Sequence, residues 1–205
     1  MEQLHETLKT IKQSFRLWMN GEASRSMREK GLLYKLNWGI PLMRLKAMAA
    51  DYPKDLQLAA ALWQENVREC RILALLLCPA EEMSLQEAVE WGSRLDNQEL
   101  AEIAATSLFQ HIAEASALAF LWMEDENPML RLCAFNVLGR LFRNNWQATA
   151  EQQQDFFSAA AKALGSDDMG LRRAAYNCVM CFADQSEENE LAADECLKRQ
   201  NIEIF

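Results

Sequence analysis

Two nonapeptides constrain this chain more than any other feature of it. "LRLCAFNVL" (130–138) and "LRRAAYNCV" (171–179) share Leu130 with Leu171, Arg131 with Arg172, Ala134 with Ala175 and Asn136 with Asn177, and set Phe135 against Tyr176. Each follows a polar, acidic turn, "EDENP" and "GSDDMG". Two earlier segments fall on the same frame. "RECRILALLL" puts Arg71 and Ala74 where Arg131 and Ala134 stand, and "AEIAATSLF" puts Ala101 and Ala104 there. The frame positions 71, 101, 131 and 172 are spaced by 30, 30 and 41 residues. A period of that size is one helix pair with its turns, the mark of stacked helical repeats.

The vocabulary agrees. In 205 residues there are 7 Gly and 4 Pro, while helix formers are plentiful and alternating β-branched runs are missing. Periodicity predicts helices at 2–19, 23–30, 41–52, 55–64, 66–78, 84–94, 97–112, 115–123, 128–144, 151–164, 168–184 and 186–200. Pro41 and Pro128 suit first helical positions, and Asn66, Ser84 and Asn97 suit caps. The expected fold is all-α, a right-handed α-α superhelix (solenoid) of HEAT-like helix-pair repeats in one domain, 1–205. In such a repeat the inner helix buries the small frame residue and projects its first turn from the stack. Arg68, Glu69 and Arg71 are therefore expected outside the core, on the concave surface or its rim. Glu69 is expected to pair with a nearby arginine. Arg71, Arg131 and Arg172 stay open between a ligand-facing role and ties between repeats.

The start of the chain is charged and helical, unlike a signal peptide, and no apolar segment approaches a membrane span. A cytoplasmic location is expected, with the six cysteines as reduced core residues. Net charge is −9, but residues 1–50 hold nine Lys/Arg against four Asp/Glu and residues 51–205 hold twelve against twenty-six. A basic first quarter on an acidic body suits a local contact with a phosphate backbone, and equally a solvated basic helix pair.

No constellation spells out a reaction. Cys178 and Cys181 form a lone C-x-x-C in mid-helix, and His5 and His111 lack metal-ligand spacing, so no metal and no cofactor are expected. There is no glycine-rich phosphate loop. Of the tryptophans 18, 38, 63, 91, 122 and 146, most are expected in the core. Trp38, beside Gly39 and near Lys35, Arg44 and Lys46, is the one expected to be exposed for stacking.

Two stretches, "YKLNWGIPLMRLKAMA" (34–49) and "LAAALWQENVRECRILALLL" (58–77), resemble the DNA alkylation repair family, the HEAT-like-repeat alkylpurine DNA glycosylases. With the repeat frame the resemblance covers roughly residues 25–185. It implies a basic groove for DNA, an inner-helix Asp that stabilises the sugar cation formed when 3-methyladenine or 7-methylguanine is excised, and an Arg on the next inner helix. The Arg falls on Arg131. The Asp falls on Ala101, or on Glu102 in a register shifted by one, with Asp96 in the preceding turn. The function expected is a DNA- or protein-binding module with lost or weak glycosylase chemistry. The alternatives are an active glycosylase using Glu102 or Asp96, and a protein–protein scaffold. Lys35, Trp38, Arg44, Lys46, Arg71, Arg131 and Arg172 are the candidate DNA contacts, with Lys35, Arg44 and Lys46 expected to form a positive strip continuous with Arg71 and Arg131. For Arg44 a pairing inside its repeat, with Glu69 or an Asp of the 51–55 turn, is the competing expectation.

Overall fold

The computed structural model describes residues 2–200, which form twelve α-helices; the only β-type pairing among them is an isolated parallel bridge between Leu36 and Val67. The chain condenses into two compact units, residues 1–83 and 84–205.

The first unit holds α1 (Glu2–Trp18), α2 (Gly21–Glu29), α3 (Leu42–Ala49), α4 (Leu56–Gln64) and α5 (Arg68–Leu77). α5 packs on α3 and α4, and α1 lies against α4. The second unit holds α6 (Leu85–Gly92), α7 (Gln98–Ser107), α8 (Ala115–Met123), α9 (Pro128–Arg143), α10 (Ala150–Leu164), α11 (Met169–Ala183) and α12 (Glu187–Arg199). Here α9 is central, packed on α7, α8 and α11, while α11 also meets α10 and α12.

The repeat frame explains the close packing of α7, α9 and α11 in the second unit and of α5 on α3 and α4 in the first. Ala74, Ala104, Ala134 and Ala175 are all fully buried. A methyl at that position lets the neighbouring helix approach. Gly139 continues the effect on α9, where an added Cβ would sit 3.4 Å from the Cα of Cys178. Along α11, Leu171, Ala174, Ala175, Cys178, Val179 and Phe182 recur at the helical period and form its buried stripe. Phe142, Phe156 and Phe182 close the core between α9, α10 and α11 with ring centroids 5.1–5.6 Å apart.

Helix ends follow local chemistry. Ser84 and Glu87 form a capping box, Asn97 caps α7, and Pro128 opens α9 behind Asn127. Asn145, at φ 62°, ends α9 in the left-handed region, with Trp146 N–H bonded to the Leu141 carbonyl at 2.9 Å. Four sequence expectations need correction. Pro41 is the cap of α3, one residue before the helix. Asn66 caps nothing; Val67 holds that place, because Arg68 N–H bonds across to the Leu36 carbonyl at 3.1 Å. α2 begins at Gly21, not 23, because Asn20 accepts from Ala23 N–H. The helix expected to run to 112 stops at Ser107, where the backbone turns to bury Leu108 and Phe109; Phe109 then meets Trp122 edge-on at 5.1 Å.

All six cysteines are buried free thiols. Burial pushes the Cys70 thiol up to about 12, helped by the Glu65 charge, and pushes Cys133 and Cys178 up as well. A thiol whose pKa is raised by folding contributes stability that is fully present below its unfolded pKa of about 8.5 and is lost as pH rises above it. Each such thiol costs about 1.4 kcal/mol per pH unit in that window. In reductant, urea midpoints are expected to fall steeply from about pH 8.5 to 9.5. Cys178→Ala should flatten the fall; an unchanged slope would show that these thiols do not govern it.

Candidate nucleic-acid interface

In the first unit the charges ahead of the apolar run are inside, contrary to expectation. Arg68 is 1%, Glu69 0% and Arg71 6% exposed. Glu69 does pair with an arginine, its own neighbour: Arg68 Nη1 lies 3.0 Å from Glu69 Oε1. The pair is buried because it serves the loop between α2 and α3. Glu69 Oε2 accepts from Trp38 N–H at 3.1 Å and Oε1 from Ile40 N–H at 3.2 Å, while Arg68 Nη1 donates to the Ile40 carbonyl at 2.9 Å. The rest of the loop binds α2. Asn20 N–H donates to the Trp38 carbonyl at 2.8 Å, and the Ser24 hydroxyl donates to the Asn37 carbonyl at 2.7 Å. Gly39, at φ 71°, lies against Asn20 and Ser24, so its backbone comes close to α2.

The expected cationic strip does not include Arg71, which is buried with its guanidinium 5.9 Å from the rings of both Tyr34 and Trp63. Arg44 pairs with neither Glu69 nor an Asp of the 51–55 turn. Its guanidinium carbon sits 3.2 Å from the Trp18 ring centroid, and its Nε is buried without an acceptor among the described residues. Lys35 and Lys46 are exposed. Trp38 is half-buried, and the most exposed tryptophan is Trp18, at 42%. Trp63, Trp91 and Trp122 are core residues.

In the second unit Ala101 is fully buried under α9 and presents nothing to a ligand. Glu102 is on the surface of α7, but its carboxylate is engaged. Oε1 accepts from Gln98 Nε2 at 2.8 Å and from Arg173 Nη2 on α11 at 3.2 Å. The same end of α11 must be slim. A Cβ on Gly170 would lie 2.6 Å from Gln98 Oε1. Asp96 stands exposed in the turn before α7, accepting from Asn97 Nδ2 at 2.7 Å. Arg131 is partly exposed on the first turn of α9, with its Nε buried and lacking an acceptor among the described residues. Arg172 is exposed, with Nη1 3.7 Å from the Met169 sulfur. With Arg173 and Tyr176 it lines a cavity of 580 Å³.

A second cavity, of 320 Å³, runs between α9 and α11 and was not foreseen in the sequence. α9 supplies Asn136, Arg140 and Arg143, and α11 supplies Asn177 and Asp184. The three α9 residues stand at helical spacing 0, 4 and 7, one stripe of one face. Arg143 Nη2 rests 3.4 Å from the Cys181 sulfur, and neither Arg140 nor Arg143 has a carboxylate partner among the described residues. The matched Asn136 and Asn177 of the two nonapeptides were the available signal. The frame drew attention to the arginines beside them instead. Among the described residues no group of three or more His, Cys, Asp or Glu is placed to hold a metal ion, and no helix is long and apolar enough to cross a membrane.

The family model described as DNA alkylation repair enzyme matches residues 11–180. The chain belongs to the DNA alkylation repair enzyme family. For a member of this family its fold has a solved parallel. A structure from a family of proteins related to the HEAT-like repeat DNA glycosylases, described as having affinity for branched DNA structures, superposes with a TM-score of 0.79. The match covers 93% of this chain and 81% of that one at 14% identity, and at that identity it shows the fold. No curated protein matches this family member in sequence.

Proposed function

We propose that this member of the DNA alkylation repair family binds DNA through the α9–α11 face of its second unit and lacks glycosylase activity. One observation carries the reading: in the cavity between α9 and α11 the cations Arg140 and Arg143 and the amides of Asn136 and Asn177 outnumber the carboxylate, Asp184, while the inner-helix carboxylate position that the resemblance implies is held by Ala101. Arg140, Arg143 and Asn177 are donors of the kind that grip phosphate oxygens, while Asn136 Nδ2 donates to the Leu132 carbonyl at 2.8 Å. Arg131, the family's inner-helix arginine by resemblance, carries a buried donor with no acceptor among the described residues. The rest of its partly exposed guanidinium is free to meet a ligand oxygen, without a carboxylate partner among the described residues. The solved relative's affinity for branched DNA adds support at the level of the fold.

Excision of a cationic base needs a free carboxylate at the sugar, because stabilising charge has to be available where charge develops. Ala101 offers none, Glu102 already serves Arg173 and Gln98, and Asp96 accepts from Asn97 in the turn before α7 and does not line the α9–α11 cavity. We place the protein in the cytoplasm on the same reading, as a DNA-binding intracellular module. The test uses duplex DNA carrying 3-methyladenine and 7-methylguanine. The protein is expected to retain the duplex at low salt and to release no free base above the level of an Asp96→Asn, Glu102→Gln double variant. Base release that the double variant abolishes would restore the glycosylase. Failure to retain DNA at all would favour a protein scaffold.

A further inference from the structure

The first unit has a cavity of its own, of 390 Å³, beside α1. One stripe of α1 lines it: His5, Lys9, Lys12 and Arg16, at spacing 0, 4, 7 and 11. The stripe is about 16 Å long at the helical rise. Trp38 and Glu65 face it from the loop and from the end of α4. Glu65 Oε1 accepts from Lys12 Nζ at 2.6 Å, and Lys9 lies 3.6 Å from Glu6, both pairs solvent-exposed. Arg16 has no carboxylate partner among the described residues. Counting the lining charges, three cations stand against one carboxylate.

The tryptophan in this cavity is held rather than floppy. Its N–H is bonded to the buried Glu69, its carbonyl to Asn20, and the next residue, Gly39, is locked against α2. The buried Arg68–Glu69 pair therefore anchors the backbone that carries an aromatic beside a row of cations. An aromatic ring next to a cationic track is how proteins take bases and phosphates from an unpaired strand, the ring stacking and the cations following the backbone. A duplex buries its base faces and cannot use the ring.

We propose that this cavity takes an unpaired nucleotide of a DNA strand, its base against Trp38 and its phosphates on Lys9 and Arg16. The inference rests on the DNA-binding reading but concerns a site in the other unit. It is tested with the full chain, a short oligothymidylate and a blunt duplex of equal length. Arg16→Glu and Trp38→Ala are each expected to weaken oligothymidylate binding about tenfold or more and to leave blunt-duplex binding unchanged. Arg16→Glu should lower the salt dependence for the oligothymidylate and Trp38→Ala should not, because stacking releases no counterions. Arg16→Glu lies on an exposed surface and keeps the test valid should Trp38→Ala unfold. The inference is overturned if the wild type binds the duplex but not the oligothymidylate, or if oligothymidylate binding ignores both changes. If charge reversal weakens binding and a folded Trp38→Ala does not, the site is a plain cationic surface and the nucleotide pocket is lost. Binding to neither probe would overturn the DNA-binding reading itself.

Discussion

Replacing Glu69 by Ala is expected to lower the stability of the protein by about 3–5 kcal/mol, as breaking a buried ion pair does. The carboxylate has no exposure, and three groups depend on it: the Arg68 guanidinium and the N–H groups of Trp38 and Ile40. Truncation strips all three of that acceptor at once in a site that water does not reach. Glu69→Gln keeps one acceptor oxygen and is expected to lose less. Urea unfolding measures both, and a Glu69→Ala midpoint within error of the wild type would show that the loop is held by something else.

Gly39→Ala is the second large effect. At φ 71° an alanine costs about 1–2 kcal/mol in backbone conformation alone. Its Cβ would also collide with the Asn20 carbonyl oxygen and stand 2.7 Å from the Ser24 nitrogen, both backbone atoms at the start of α2. Neither can swing aside as a side chain could, so the loop and the helix must separate. A loss of about 3 kcal/mol or more is expected, in the range of strain at a special backbone position. Gly31 is the internal control. It also has positive φ, 91°, but open space around it, so Gly31→Ala should show the conformational cost alone. Equal losses at the two positions would remove the steric part of the argument.

The helices were legible because their signals are local. Apolar spacing, Asn97, Ser84 and Pro128 act within a turn of where they stand, and the small frame residues at 104, 134 and 175 marked the tight contacts among α7, α9 and α11. The site was less legible because its geometry is long-range. Arg68 and Glu69 read as an exposed first turn, and nothing near them in sequence says that a loop thirty residues earlier lends its backbone to them. Arg71 was missed for the same reason, its surroundings being Tyr34 and Trp63. Arg140 and Arg143 lie at the far end of α9 from the frame, and only the packing of α11 beside α9 turns them into the wall of a cavity.

Salt dependence of duplex binding bears most directly on the proposed DNA-binding face. Each phosphate contact neutralised by a cation adds about 0.9 to the magnitude of the slope of log affinity against log salt. Affinity for a blunt duplex, measured between low and moderate salt, is compared for the wild type and an Arg140→Ala, Arg143→Ala double variant. The double variant is expected to bind more weakly at every salt concentration, with a slope shallower by about 2. Identical slopes and affinities would mean that DNA does not lie on the α9–α11 face.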